Sequence, residues 1–136
     1  MPRDYLFDTV VCSRWRRGDK VLRSRVEALP SDVVLYTSVI SVGELILGIH
    51  KAPREYQENL WQRTQEMLAS FSGILEVTTE VAHRYGDIVS QVPSGQHIGQ
   101  NDQWIAAIAL THDLVLTTND SDFDRVPGLQ KENWLE

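Results

Sequence analysis

Four acidic residues in distant parts of the chain each lie beside an apolar run. They are Asp8 in YLFDTVV, Glu44 in SVISVGEL, Asp102 in GQNDQWIAAIAL and Asp120 in LTTNDSDF. An acid is rarely buried unless it is paired or holds a cation. Four acids that converge would repel one another, and a bound divalent cation offsets that repulsion. The acids therefore predict a Mg²⁺ or Mn²⁺ site, and such sites mostly serve phosphate chemistry.

The elements that must position these acids alternate along the chain. The patterns predict strands over 4–12, 33–38, 73–77 and 114–118, with a short final strand in LQKENWLE. Helices are predicted over 14–29, from about Val42, over 54–71, around 81–89 and over 101–112. This order predicts an α/β fold with helices on both faces of a central, mostly parallel sheet of four to five strands.

Such a sheet would bring the four acids together. Ligands bind outside the carboxyl ends of parallel strands. Asp8 and Asp120 follow the first and fourth predicted strands, while Glu44 and Asp102 fall in the first turns of helices near the same edge. We therefore expect all four carboxylates to face one crevice.

Each acid also has an ordinary structural explanation. Asp8 fits a strand-end acid that caps a turn, and Ser41-Val-Gly-Glu44 fits a capping box. Asp102 at a helix N-terminus would gain from the helix dipole. The occurrence of all four together favours the functional interpretation.

The loop NDSDFD carries alternating acids, as a calcium loop does. Counted from Asp120, the glycine required at the sixth position is Arg125, and the glutamate required at the twelfth is Lys131, which excludes an EF-hand. Asp120 is the best candidate ligand, with Asp122 a capping residue and Asp124 solvated. Thr118 and Asn119 are expected to orient Asp120 or a water. His50, His83, His97 and His112 lack metal-ligand spacing.

Composition indicates one globular domain over residues 1–136, with a net charge of −6. No apolar run is long enough to span a bilayer, and the N-terminus is a poor signal peptide, so we expect a cytoplasmic protein without membrane contact. Cys12, the single cysteine, is expected to be a buried, inert thiol. Basic residues crowd positions 14–25, which is typical of a solvated helix face but could also contact phosphates or an acidic protein partner.

Taken together, YLFDTVV, SVISVGELILGI, NDQWIAAIAL and LVLTTNDSDFDRVPGLQKENW closely resemble the motifs of PIN-domain ribonucleases, in particular VapC-type toxins. The match covers nearly the whole chain in the expected order. The chain departs from the family at Val10, where an Asn that commonly supports the active site is usual, and it keeps Thr9.

The resemblance implies a PIN-like three-layer α/β/α sandwich and a Mg²⁺- or Mn²⁺-dependent endoribonuclease. It implies the toxin component of a bacterial type II toxin–antitoxin system (VapBC), usually a homodimer, inhibited by a cognate VapB-type antitoxin. The catalytic and metal-binding quartet maps onto Asp8, Glu44, Asp102 and Asp120. Thr9, Asn101 and Thr118 are expected to support it.

Two other functions are compatible with acids gathered at one edge of an α/β sheet. A receiver-type signalling domain would need a phosphoacceptor Asp after a middle strand and a Lys after a late one, and the chain has Thr78-Thr79-Glu80 and Thr118-Asn119-Asp120 there. A non-catalytic PIN-fold module that docks RNA or a protein partner remains open. Metal-dependent turnover of RNA separates it from a nuclease.

Overall fold

The computed structural model describes residues 3–93 and 95–136. Its strands are β1 (Tyr5–Phe7), β2 (Leu35–Ser38), β3 (Gly73–Leu75), β4 (Val115–Thr117) and β5 (Lys131–Glu132). Its α-helices are α1 (Thr9–Arg16), α2 (Lys20–Glu27), α3 (Val39–Lys51), α4 (Arg54–Ala69), α5 (Thr79–Gln91) and α6 (Gln100–Thr111). A short 3₁₀ helix covers Ser121–Arg125.

The five strands form one sheet in the order β3-β2-β1-β4-β5, and every neighbouring pair is parallel. The central strand β1 pairs with both β2 and β4, so residues that follow these strands meet at one edge. The predicted α/β class and the parallel sheet of four to five strands are confirmed.

Alternation along β1 separates two cores. Leu6 packs on one face, against α5 and α6, in a cluster that includes Ile88, Ile105 and Ile108. Phe7 packs on the opposite face with residues of α1, α2, α3 and α4. Adjacent residues of a strand point to opposite faces, so this pair indicates helices on both sides of the sheet, the three-layer arrangement.

The predicted first strand over 4–12 is wrong beyond Phe7, because Asp8 caps a helix that starts at Thr9. Val10 and Val11 are β-branched and favour strands on propensity alone. Burial of Val11 and Cys12 against the sheet outweighs that preference. The burial predicted for Cys12 is confirmed, and that burial raises the pKa of its thiol to about 12.

The predicted helix over 14–29 is two helices. Gly18 sits in the left-handed region at φ +78°, which favours glycine and ends α1. Asp19 then caps α2 by accepting a hydrogen bond from the Leu22 amide at 3.0 Å. The turn changes the direction of the chain in the middle of the basic segment.

The remaining elements are present where they were predicted, with different ends: β2, β3, β4 and α4 are shorter, α3 starts earlier, α5 is longer and α6 is shifted by one residue. The segment predicted as a loop after β4 contains the 3₁₀ helix, and the short final strand is present as β5. The sequence Pro93-Ser94-Gly95 predicts the end of the helix over 81–89; α5 ends at Gln91, and Ser94 lies outside the described residues. No helix within the described ranges has both the length and the apolar character needed to cross a membrane.

Candidate active site

The four predicted acids line one cavity of about 510 Å³ at the carboxyl edge of the sheet. Asp8 follows β1 and Asp120 lies beyond β4, the strand next to it. Glu44 comes from the second turn of α3, and Asp102 comes from the first turn of α6. The cavity is completed by Thr9, Val10, Asn119 and Ser121.

Asp8 is the most buried of the four, with 4% of its surface exposed. Its Oδ1 accepts the Val11 amide at 2.9 Å, so the predicted capping role is present. Its Oδ2 accepts a hydrogen bond from the Thr118 hydroxyl. Burial nevertheless raises the pKa of Asp8, and the negative charges of Asp120 and Glu44 act in the same direction. The two hydrogen bonds counter part of this rise.

Thr118 joins Asp8 to Asp120. It is buried just after β4, and its oxygen accepts the Asp120 amide at 3.1 Å while its hydroxyl donates to Asp8. Asp120 caps the 3₁₀ helix through a hydrogen bond of 2.9 Å from the Asp122 amide to its Oδ1. The capping role predicted for Asp122 therefore belongs to Asp120. Asp122 pairs with Arg125 at 3.1 Å.

Glu44 is oriented by a chain of hydroxyl groups. The Thr9 hydroxyl donates to Glu44 Oε1 at 2.7 Å, and its oxygen lies 2.9 Å from Ser41 Oγ. Ser41 is buried and lies 3.4 Å from the hydroxyl of Ser38. Ser38, not Ser41, caps α3 by accepting the Ser41 amide at 3.1 Å. The capping-box explanation for Glu44 is therefore wrong.

Asp102 lies in the first turn of α6, whose N-cap is Gly99 without a side-chain cap. Burial raises its pKa to about 6, and repulsion from Asp120, Glu44, Asp8 and Asp122 adds to the rise. Among the described residues no ion pair involves Asp102 or the other three acids. The site therefore concentrates negative charge that no cationic side chain of this part of the chain neutralises.

The donor set fits a hard divalent cation. Carboxylate oxygens are the ligands that Mg²⁺ prefers, and such a site usually keeps several waters. The ion pairs found among the described residues involve other acids, namely Asp19, Asp113, Asp122 and Asp124. In the same ranges no three His, Cys, Asp or Glu side chains stand close enough to form a complete metal site. Carboxylates without a neutralising charge repel one another, which favours wider separation of their oxygens than in a metal-bound site.

The predicted supporting residues fall in different places. Thr9 and Thr118 contact the quartet, on Glu44 and on Asp8. Asn101 is exposed and lines a neighbouring, more apolar cavity with Val39 and Leu47. Asp124, expected to be solvated, also pairs with Lys131 at 2.9 Å.

The sequence analysis missed Ser38 and gave Ser41 the role of an N-cap, which belongs to Ser38. The available signal was the segment SVIS, in which two serines three residues apart precede the glutamate.

Known proteins share both the sequence pattern and the fold. The PIN domain family model matches residues 5–129. Ribonuclease VapC1 of Haemophilus influenzae strain R2866 is 30% identical over 135 residues, covering 97% of this chain and 98% of that protein. The solved structure of VapBC2 from Rickettsia felis, bound to a promoter DNA fragment, has a TM-score of 0.88 at 25% identity and covers 96% of this chain and 98% of its own.

The structure of VapBC-1 from nontypeable H. influenzae gives a TM-score of 0.86 at 26% identity, covering 98% of this chain and 99% of that chain. The resemblance inferred from the four motifs is thereby confirmed. The chain belongs to the PIN-domain family, among the relatives named ribonuclease VapC.

Proposed function

We propose that this protein is a divalent-metal-dependent endoribonuclease that acts as the toxin of a VapBC-type toxin–antitoxin pair. The observation that carries the proposal is the convergence of Asp8, Glu44, Asp102 and Asp120 on one cavity without a cationic partner among the described residues. The ribonuclease name of the relatives supports RNA as the substrate.

Asp8 and Asp102 are the principal residues that would hold Mg²⁺ or Mn²⁺, and Asp120 would complete the site or hold a second ion. Such a cation would polarise the scissile phosphate and lower the pKa of a water towards neutrality. Asp8 is held in place from two sides, by the Val11 amide and the Thr118 hydroxyl. These two hydrogen bonds hold the carboxylate oxygens of Asp8 in a fixed position before a cation binds.

Glu44 has a different task. Its Oε1 is engaged by Thr9, and this bond fixes the carboxylate at the wall of the cavity. We assign Oε2 as the atom that orients the attacking water and accepts its proton. The water then attacks phosphorus in line and displaces the 3′ oxygen, which leaves one product with a 5′-phosphate and the other with a 3′-hydroxyl.

Two partners belong to the proposal. The two solved structures described above are of VapBC assemblies, which supports a cognate VapB-type antitoxin for this chain. We also propose a homodimer, on the family resemblance. Co-expression with the neighbouring gene, followed by co-purification and relief of growth arrest, tests the first. Light scattering on the purified protein tests the second, and a monomer at all concentrations would contradict it.

Cleavage of total cellular RNA by the purified protein tests the activity. The expected result is a set of discrete fragments with Mg²⁺ or Mn²⁺, and no fragments with EDTA or with Asp102→Asn. Asp32→Asn is the matched control, because Asp32 is an exposed acid outside the cavity. Cleavage by Asp102→Asn at the parent rate would reject the assignment. No cleavage under any condition would support the non-catalytic PIN-fold module.

A further inference from the structure

A second polar cavity, of about 310 Å³, lies between α1, α2 and α4. It is lined by Arg16 from α1, Arg23 from α2 and Arg63 from α4, and we name it the arginine pocket. The other lining residues are Trp15, Glu66, Met67 and Ser70.

Three different helices supply the arginines. Arg16 is the last residue of α1, and Arg23 of α2, which follows the turn at Gly18, lines the same cavity. Arg63 comes from the middle of α4, far away in sequence. The pocket therefore depends on the tertiary packing of these helices.

The positive charges of the pocket are not balanced by ion pairs within the described part of the chain. The ion pairs found among the described residues do not include Arg16, Arg23 or Arg63, whereas Arg14 is paired with Asp19 at 3.1 Å. One lining side chain, Glu66, is acidic. Three guanidinium groups around one carboxylate leave an excess of positive charge in a protein whose net charge is −6.

Arg16 is the least satisfied of the three. One terminal nitrogen donates to Thr64 Oγ1 at 3.0 Å, but Nε is buried without a hydrogen-bond partner. Burial and the neighbouring Arg17 lower the pKa of Arg16, because both disfavour its charged form. An anion in the cavity would offset this cost.

We propose that the arginine pocket binds a backbone phosphate of the RNA substrate, outside the scissile position. The planar guanidinium group of arginine can donate two parallel hydrogen bonds to phosphate oxygens. Three guanidinium groups around one cavity can therefore bind several oxygens of one phosphate. This inference rests on the proposed function and adds a substrate-binding site to it.

The position of the pocket favours RNA over an acidic protein segment. Helix α1 connects the two sites, with Asp8 at its N-cap and Arg16 at its end, about 12 Å apart along the axis. That span corresponds to a few nucleotides of one strand. RNA that approaches four carboxylates needs positive charge nearby, and this pocket supplies it.

The test compares the full-length parent with Arg23→Gln/Arg63→Gln. Both side chains are exposed, so the fold should be retained. The control is Arg54→Gln/Arg84→Gln, which removes the same charge from exposed positions outside the pocket. The first readout is a titration with inorganic phosphate. The response is measured as changes in the nuclear magnetic resonance signals of Arg16 Nε–H and Trp15 Nε1–H. The second is cleavage kinetics on a single-stranded RNA substrate at several salt concentrations.

We expect phosphate to shift both signals in the parent and in the control, but not in Arg23→Gln/Arg63→Gln. Arg23→Gln/Arg63→Gln should raise KM about 10-fold with kcat little changed. The slope of log KM against log salt concentration should be smaller than in the control by about one, the value expected for the loss of one phosphate contact. A parent that does not respond to phosphate would overturn the inference, whether or not RNA is cleaved.

Two further outcomes separate this inference from the proposed function. A parent that cleaves RNA, with equal KM in the pocket and control variants, would overturn the pocket assignment and leave the nuclease intact. If the pocket variant lost binding to the antitoxin while its KM for RNA stayed unchanged, the pocket would belong to a protein partner and the inference would be wrong. A parent that binds phosphate but never cleaves RNA would refute the proposed function and the RNA assignment together.

Discussion

Replacing Asp102 with Asn should stabilise the metal-free protein at neutral pH. The pKa of Asp102 is raised from 3.8 to about 6, so the folded state binds this proton more tightly than the unfolded state does. A rise of this size in the pKa corresponds to about 3 kcal/mol against the folded, ionised form. Because Asp102 is only partly buried, solvent screening reduces this to about 1–2 kcal/mol. Asn keeps the shape and removes the charge.

The sign of this effect depends on pH. Below about pH 4 Asp102 is neutral in both states, so the substitution should change little. Between about pH 4 and 6 the folded state alone retains the proton, and the stability of the parent falls as pH rises. Above about pH 7 Asp102 is ionised in both states, so its unfavourable contribution to the free energy of unfolding no longer changes with pH. The stability gained by Asp102→Asn should therefore reach its maximum there.

Thermal unfolding in EDTA at pH 7.5 and pH 4 measures the effect. For a chain of 136 residues, 1–2 kcal/mol corresponds to a rise in Tm of about 3–8 °C. Asp32→Asn is the control and should leave Tm unchanged. Added Mg²⁺ should then raise the Tm of the parent more than that of Asp102→Asn, because the parent keeps the ligand. An unchanged or lower Tm for Asp102→Asn in EDTA at pH 7.5 would refute the reasoning.

Three further predictions concern the quartet and the residues that contact it. Thr118→Val removes the hydroxyl that donates to Asp8, so Mn²⁺ affinity measured by calorimetry should fall about 10-fold; unchanged affinity would show that this contact is dispensable. Thr9→Val frees Glu44 Oε1, and kcat for RNA should fall about 10-fold with KM little changed, whereas a change in KM alone would contradict the role given to Glu44. Cleavage at limiting Mg²⁺ should rise with pH through about 6 as Asp102 loses its proton and becomes a ligand, and a rate that falls with pH over this range would be inconsistent with that role.

The parallel sheet and the convergence of the four acids could both be predicted from the sequence, for one physical reason. Apolar, β-branched runs separated by helical periodicity require a parallel sheet, and in a parallel sheet the residues that follow the strands share an edge. Asp8 and Asp120 each follow such a strand, and Glu44 and Asp102 lie in the first two turns of helices that begin near the same edge. Their convergence follows from topology, without knowledge of side-chain packing.

The errors occurred where packing outweighs local preference. Val10 and Val11 favour a strand, yet Asp8 caps a helix there and Val11 is buried against the sheet. Gly18 and Asp19 are residue types that commonly end one helix and cap the next. The helical spacing of apolar residues continues on both sides of this pair, so the pattern predicted a single helix.

The arginine pocket and the hydroxyl chain could not be predicted from spacing. Arg63 meets Arg16 and Arg23 only because α4 packs beside α1 and α2. In the same way, Thr9 reaches Glu44 across 35 positions of sequence, through the packing of α1 on α3.

The most direct test of the central claim is the chemistry of the RNA ends that the purified protein produces with Mg²⁺ or Mn²⁺. Attack by a water positioned at the four carboxylates predicts fragments with a 5′-phosphate and a 3′-hydroxyl, absent with EDTA and with Asp8→Asn. Asn at position 8 can still accept the Val11 amide and cap α1, so the loss would not reflect unfolding. Fragments that end in a 2′,3′-cyclic phosphate, or cleavage that persists in EDTA, would contradict the account.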